Sequence, residues 1–265
     1  MLNLNEICSN TIILAKQAGK YIQNQRKGFS FSKVETKGQH DFVSHVDKEA
    51  ERILVEGLRQ ILPGSGFIAE EGTGSLVEGG YNWIVDPLDG TTNFIHGLSP
   101  FAVSIALSKG NEMLLGVIYE ISLDECFYAW QGSPAYLNGK AISVSQIDKV
   151  DDSLIATGFP YYNYSRMKEY LQTMEYFMQH SHGLRRLGSA ATDLAYVACG
   201  RFDAFYEYSL KPWDVAAGAF IVQQAGGKVS DFKGGNTYIF GDDIIATNAN
   251  IFNEFKNSVA NIMNK

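Results

Sequence analysis

The residues of this chain whose types and positions favour chemistry are carboxylates that close short apolar runs. Glu70-Glu71 follows Phe67-Ile68-Ala69, Asp86 and Asp89 follow Trp83-Ile84-Val85, Asp214 follows Trp213, and Asp47 lies three residues after Ser44. A carboxylate at the end of a buried strand must find a partner or hold its proton, because burial penalises the charge. A divalent cation resolves that conflict. Several acids from separate segments, with no matching Cys or His cluster, favour hard oxygen-binding ions such as Mg²⁺ or Mn²⁺ over Zn²⁺. In Asp86-Pro87-Leu88-Asp89-Gly90-Thr91-Thr92, Pro87 fixes the backbone after the first acid. A backbone carbonyl between the two acids is a further oxygen donor, and Gly90 allows a tight turn and close approach to a ligand. Thr91 and Thr92 can begin a helix, whose free N–H groups receive phosphate.

Each feature alone has a plain structural explanation. Asp-x-x-Asp-Gly is also a turn or cap pattern. Glu70-Glu71 also suits a solvated loop, and Ser44-x-x-Asp47 a capping box. Trp213-Asp214 also suits a core aromatic and a helix cap. Their shared placement at the ends of apolar runs, beside a Gly-Thr-Thr turn, favours the metal reading.

The elements that must position these residues change style along the chain. Helical periodicity spans Leu4–Gln25 and the stretch after Ser44 up to Ile61, closed by Pro63-Gly64. Between them, residues 28–40 are polar and loop-like. Strand patterns follow at Phe67–Ala69, Trp83–Val85, Phe101–Leu107, Leu114–Ile121 and Glu125–Trp130, with Lys109-Gly110-Asn111 a hairpin. The first half therefore predicts an α+β arrangement with an antiparallel sheet. The second half alternates. Strands are expected at Leu154–Ala156, Phe202–Tyr206, Lys228-Val229 and Ile244–Ala246, and helices at Tyr164–Met178, Ser189–Cys199, Trp213–Ala225 and from Ile251. That alternation predicts α/β layering. No Pro/Gly/Ser-rich linker marks the change near residue 150, so halves 1–150 and 151–265 are expected to pack as one compact unit.

Composition narrows the function. The 265 residues are 45% hydrophobic and 19% charged, as for a globular protein, and the formal net charge is -7. Acidity argues against nucleic acid as main partner, yet bound cations would let an acidic site take a phosphorylated small molecule. Cys8, Cys126 and Cys199 are odd in number and widely spaced, which suggests reduced buried thiols. Neither a basic-then-apolar leader nor a membrane-length apolar run is present, so the cytoplasm is the expected setting and no membrane is expected as partner.

Taken in order, the segments Lys37…Asp41-Phe42-Val43-Ser44…Asp47, Phe67–Glu71, Trp83–Phe94, Leu187–Ala191, Trp213–Gly218 and Gln224–Gly227 resemble the inositol monophosphatases. These belong to the lithium-sensitive, magnesium-dependent phosphatase superfamily that includes fructose-1,6-bisphosphatase. The resemblance implies a layered αβαβα sandwich, a homodimer in many members, and hydrolysis of a small phosphate monoester. It implies two or three Mg²⁺ ions, with Mn²⁺ possible: one held by Glu70, Asp86 and the carbonyl of Leu88, a second by Asp86, Asp89 and Asp214, and a weaker third near Glu70. Asp47, Glu70 and Thr91 match catalytic positions, Asp47 and Thr91 as the pair that helps to orient the attacking water. Gly90 and Thr91 match backbone positions that contact the phosphate, and Asp89 is implied to be substrate-binding as well. Gly188, Ser189 and Ala190, with Ser for the more usual Thr, match a stretch that contacts the sugar or inositol ring. Glu207 matches a carboxylate that accepts from ring hydroxyls.

Other residues are left open. His40, His45, His96, His180 and His182 show no zinc spacing. Arg185-Arg186 reads as a surface pair, with contact to a second phosphate as the alternative. Phe159, Tyr161, Tyr162 and Tyr164 suit either a pocket rim or a packed loop. Three functions are expected in this order: hydrolysis of inositol monophosphate or a similar polyol phosphate; the same chemistry on fructose-1,6-bisphosphate, adenosine 3′,5′-bisphosphate or NADP; and a non-catalytic scaffold, which complete ligand positions disfavour.

Overall fold

The computed structural model describes residues 2–27, 34–38, 41–161 and 163–264, with side chains for all of these except 34–38 and 41–44. The cap expected at Ser44, the side chains of Lys37 and Asp41, and Tyr162 lie outside the described residues. So do 28–33 and 39-40 of the expected loop. The rest of that loop differs from expectation: β1 (Val34–Gly38) pairs antiparallel with β2 (Asp41–Ser44).

Five layers stack as αβαβα. The outer pair α1 (Leu4–Arg26) and α2 (His45–Ile61) covers a seven-stranded sheet. Its strands run in chain order: β3 (Gly66–Ala69), β4 (Tyr81–Asp89), β5 (Ala102–Lys109), β6 (Glu112–Glu120), β7 (Glu125–Trp130), β8 (Ala135–Leu137) and β9 (Lys140–Ile142). Pairing is antiparallel as expected, except that β3 runs parallel to β4. Gly110-Asn111 makes the β5–β6 hairpin, with Gly110 at φ 58°. The five-stranded second sheet contains β10 (Leu154–Thr157), β11 (Gly183–Arg185), β12 (Ala204–Tyr208), β13 (Lys228–Ser230) and β14 (Asp243–Thr247), in the order β11-β10-β12-β14-β13. Helices α5 (Ala190–Ala198) and α6 (Pro212–Gln224) lie between the sheets, and α4 (Met167–Gln179) and α7 (Phe252–Met263) cover the far side. A short α3 (Thr91–His96) follows β4.

Both sheets are buried on both faces, so the period-2 alternation of strands sorts side chains between layers rather than between core and water. Trp83, Val85, Val103, Ile105, Leu107, Leu115 and Val117 face α1 and α2. The residues between them, Ile84, Ala102, Ala106 and Ile118, face the middle helices. In the second sheet Ile155, Tyr206 and Ile245 meet α4 and α7, while Ala156, Phe205, Ile244 and Ala246 turn inward. This is why the strands read in sequence as continuous apolar runs.

The middle layer is thin by composition. Helix α6 is apolar on every side, as a helix enclosed by two sheets must be, and its Val215-Ala216-Ala217-Gly218-Ala219 segment is buried. Side chains here leave no slack. A Cβ at Gly116 of β6 would stand 2.7 Å from the Ala217 carbonyl oxygen, and one at Gly218 would stand 2.5 Å from Leu194.

Candidate active site

The site lies where β3, β4, α3, α5, α6 and β12 end or begin around one open cleft. Strand β4 supplies its floor. Opposite β5, Asp86 pairs with Ser104 and Asp89 with Ala102, so three steps on β4 match two on β5. Pro87 cannot donate to the ladder, and the extra residue is accommodated as a bulge. Asp86 and Asp89 are an odd number of residues apart and would face opposite sides of a regular strand. The bulge turns both into the cleft. The Leu88 N–H donates to Asp86 Oδ1 at 2.9 Å, which fixes the buried carboxylate. Gly90 then turns the chain into α3 at φ 89°, and a Cβ there would press on the Pro100 and Gly188 carbonyl oxygens.

Asp214 arrives from the other half. Pro212 occupies the first position of α6 and Asp214 the third, where its Oδ2 accepts from the Lys211 N–H at 2.7 Å. Asp214 is therefore the third-position member of a capping box rather than the N-cap, which is Lys211, and the same carboxylate also lines the cleft. Ser104 Oγ donates to the Trp213 carbonyl at 3.1 Å and ties the start of α6 to β5. Asp89 Oδ2 accepts from Ser189 Oγ at 2.6 Å and from the Ala191 N–H at 2.7 Å, so it sits at the start of α5. One carboxylate oxygen from each of Asp86, Asp89 and Asp214 lies within 4.8 Å of the other two.

Burial foremost, then Glu70, Asp89 and Asp214, push the Asp86 carboxyl well above the usual range. Burial raises Asp89 to about 6 against its hydrogen bonds from Ser189, Ala191 and Ala190. Burial and the neighbouring Asp89 raise Asp214 to about 7. Three converging, strained carboxylates fit hard divalent cations, which bind oxygen and remove the repulsion. Glu70 follows β3, lines the same cleft, and its N–H donates to the Val85 carbonyl at 3.2 Å. A residue not singled out from sequence holds that loop: the buried Glu51 of α2 accepts from the Glu71 and Thr73 N–H groups at 2.7 and 2.9 Å.

Asp47 is buried on α2 behind the cleft rather than on its lining. Thr91 Oγ1 lies 3.0 Å from Asp47 Oδ1 and 2.9 Å from the Leu88 carbonyl oxygen. A hydroxyl has one proton, so it donates to one of these at a time and can accept from a third group.

The opposite wall carries Gly188, Ser189, Ala190 and Glu207. Ser189 caps α5, accepting from the Thr192 N–H at 3.3 Å. Asn93 Nδ2 donates to the Pro100 and Leu187 carbonyls, both at 2.8 Å, and so links α3 to this wall. Glu207 lies within β12 and is 5% exposed. A Cβ at Gly158 would stand about 2.0 Å from its carboxylate, so glycine is required beside it. Burial raises Glu207 strongly, while Arg186 opposes the shift.

Two residues change standing. Arg185 is exposed, whereas Arg186 lines the cleft and donates to the Tyr161 hydroxyl, so the surface-pair expectation is corrected for Arg186. Its guanidinium lies 5.1 Å from the Phe159 ring centre and 5.8 Å from that of Tyr161. Asp193 of α5 also lines the cleft, is 1% exposed, and was not expected at all. In the sequence it is one acid in an Ala-rich helix. Only the packing of α5 between the sheets brings it to the site.

With this geometry in place, comparison with known proteins becomes informative. Residues 3–263 match the Inositol monophosphatase family. The chain belongs to that family. It is 39% identical over 249 residues to the putative Nus factor SuhB of Neisseria meningitidis serogroup B, covering 94% of this chain and 95% of that one. It is 39% identical over 236 residues to the inositol-1-monophosphatase of Rhizobium meliloti, covering 89% of each. Among solved structures, the extragenic suppressor protein suhB from Bartonella henselae superposes with a TM-score of 0.89 at 39% identity, covering 95% of this chain and 97% of that one. The layered fold is thus the family's fold. The Cys residues are free, with Cys8 and Cys126 buried and Cys199 half-buried. Among the described residues no helix is long and apolar enough to cross a membrane.

Proposed function

We propose that this protein is a Mg²⁺-dependent phosphomonoesterase that hydrolyses inositol monophosphate or a similar small polyol or sugar phosphate with water as nucleophile. The observation that carries this reading is the convergence of Asp86, Asp89 and Asp214 at the mouth of α5 and α6. Glu70, Asp86 and the Leu88 carbonyl would hold one ion, and Asp86, Asp89 and Asp214 a second, with a weaker third near Glu70. When bound, the ions offset the charge of the acids and of the phosphate dianion and make water more acidic.

The chain's own residues do the rest. Asp47, by accepting from Thr91, leaves the Thr91 hydroxyl oriented to accept a hydrogen bond from water in the cleft. The backbone of Gly90 and Thr91 receives phosphate oxygens where α3 begins. Gly188, Ser189 and Ala190 shape the wall against the polyol, and Glu207 accepts from its hydroxyls. In this reading residues 1–150 supply most ion ligands, residues 151–265 supply Asp214 and the substrate contacts, and the enzyme acts in the cytoplasm as a homodimer.

Relatives at the same level of identity carry two kinds of name, Nus factor and inositol-1-monophosphatase. The carboxylate site supports the enzymatic one. Arg186 in the cleft is the feature that favours the second reading, a substrate with a further anionic group such as fructose-1,6-bisphosphate, adenosine 3′,5′-bisphosphate or NADP. A phosphate-release assay over these esters and inositol 1-phosphate tests both readings. Release is expected with Mg²⁺, and inhibition on adding Li⁺. No release from any ester in Mg²⁺ would discard the phosphatase reading and favour a scaffold.

A further inference from the structure

Two side chains that line the cleft, Asp193 and Arg186, each carry a buried polar atom without a hydrogen-bond partner: Asp193 Oδ1 and Arg186 Nε. They are of opposite kind, since the carboxylate oxygen accepts and the guanidinium N–H donates. Leaving such groups unpaired out of water is costly, so the wall is built for something that arrives. A second phosphate would satisfy Arg186, but Asp193 and Glu207 stand beside it and repel an anion. A hydroxyl satisfies both orphans, because it donates and accepts at once. A ring carrying adjacent hydroxyls can also engage Glu207 on the same wall.

We infer that Asp193 is a specificity-determining residue that accepts a hydrogen bond from a hydroxyl of the leaving polyol, next to the hydroxyl taken by Glu207 and within reach of the Arg186 N–H. The inference rests on the phosphatase reading and deepens it. Substrate choice is then set partly by a helix acid on α5, and a neutral polyol phosphate is preferred to a bisphosphate.

The test compares two esters in Mg²⁺, myo-inositol 1-phosphate and p-nitrophenyl phosphate, the second having no ring hydroxyls. Asp193→Ala is expected to lower the ratio of their kcat/KM values, polyol over phenyl, by about tenfold, the loss of one hydrogen bond to a charged group. The fall is expected mainly in KM for the polyol ester. Asp193→Asn, which keeps an acceptor oxygen, should recover most of the ratio. An unchanged ratio in Asp193→Ala overturns the inference, as does an equal loss on both esters, which would mark a purely structural acid or one satisfied by water. Failure of Asn to recover any of the ratio overturns it too. If the unmodified protein cleaves neither ester, the phosphatase reading itself has failed, and that outcome is distinct from the others.

Discussion

The two walls of the cleft bury carboxyl groups in opposite ways. On the aspartate wall every acid is pinned by the backbone: Asp86 by Leu88, Asp89 by Ala191, Asp214 by Lys211. The charges repel one another, relieved only in part by Arg186 near Asp89 and Lys211 near Asp214. On the facing wall Asp193 and Glu207 share the neighbourhood of Arg186, and polar atoms of both signs are left unpaired. The first wall is a rigid cage for positive charge. The second is a nearly balanced surface for a neutral, hydroxyl-rich molecule. The lesson is that burial raises the proton affinity of all five acids, so that property alone does not tell an ion ligand from a substrate contact. Whether the carboxyl groups converge on one another, as Asp86, Asp89 and Asp214 do, or stand beside an unpaired donor does.

Breaking the cage should have the largest effect. Asp214→Asn or Asp89→Asn is expected to lower kcat by about a thousandfold or more, because an ion ligand and its charge are lost together. Circular dichroism and melting temperature should show an intact fold. Turnover within tenfold of the unmodified enzyme in either variant would discard the cage. On the facing wall, Glu207→Ala should reduce the kcat/KM ratio of inositol 1-phosphate over p-nitrophenyl phosphate by about tenfold. An equal effect on both esters would mean that the two walls are not functionally distinct.

The pH dependence sharpens the same contrast. In metal-free protein Asp89 and Asp214 titrate near 6 and 7, above the ordinary carboxylate value of the unfolded chain. A raised folded value means the native state binds protons more tightly. Their contribution is fully present below about pH 4 and is lost as pH rises through 6 to 7. Calorimetry in chelator should therefore record a melting temperature that falls by roughly 5 °C or more between pH 5 and pH 8. Saturating Mg²⁺ should remove most of that fall, since ion binding needs the deprotonated acids. A pH-independent difference between the two conditions would contradict the cage. The smallest effect is expected from Ser189→Ala, which removes a helix cap and one of three hydrogen bonds to Asp89. A loss of about 1 kcal/mol is expected by denaturant unfolding, with turnover only several-fold lower.

Legibility in the sequence followed the same division. Asp86, Asp89 and Asp214 could be picked out because each ends an apolar run, and strand or helix ends are where functional groups meet. Glu207 was placed at the end of a strand over Phe202–Tyr206, whereas β12 runs Ala204–Tyr208. The shift has a local cause: the Arg201 and Phe202 N–H groups both turn back to the Tyr196 carbonyl and prolong the end of α5. Helix α4 starts three residues later than its apolar pattern because Asn163 Oδ1 accepts from the Ser165 N–H and hydroxyl, which holds a turn where the helix would begin. Asp193 and Arg186 were not legible. Nothing in the Ala-rich helix or the Arg-Arg pair distinguishes a cleft residue from a solvated one until the sheets close around them.

The glycine contacts of the middle layer imply an inheritance of distance. Asp214 is placed by α6, and α6 is placed by how closely Gly116 admits the Ala217 carbonyl and Gly218 admits Leu194. The separation between the aspartates of β4 and the aspartate of α6 is thus fixed by the thickness of a helix stripped of side chains. A methyl group at Gly116, which is not itself an ion ligand, would act as a spacer between the halves of the site. Such an enzyme would fail not by losing a ligand but by holding all of them too far apart.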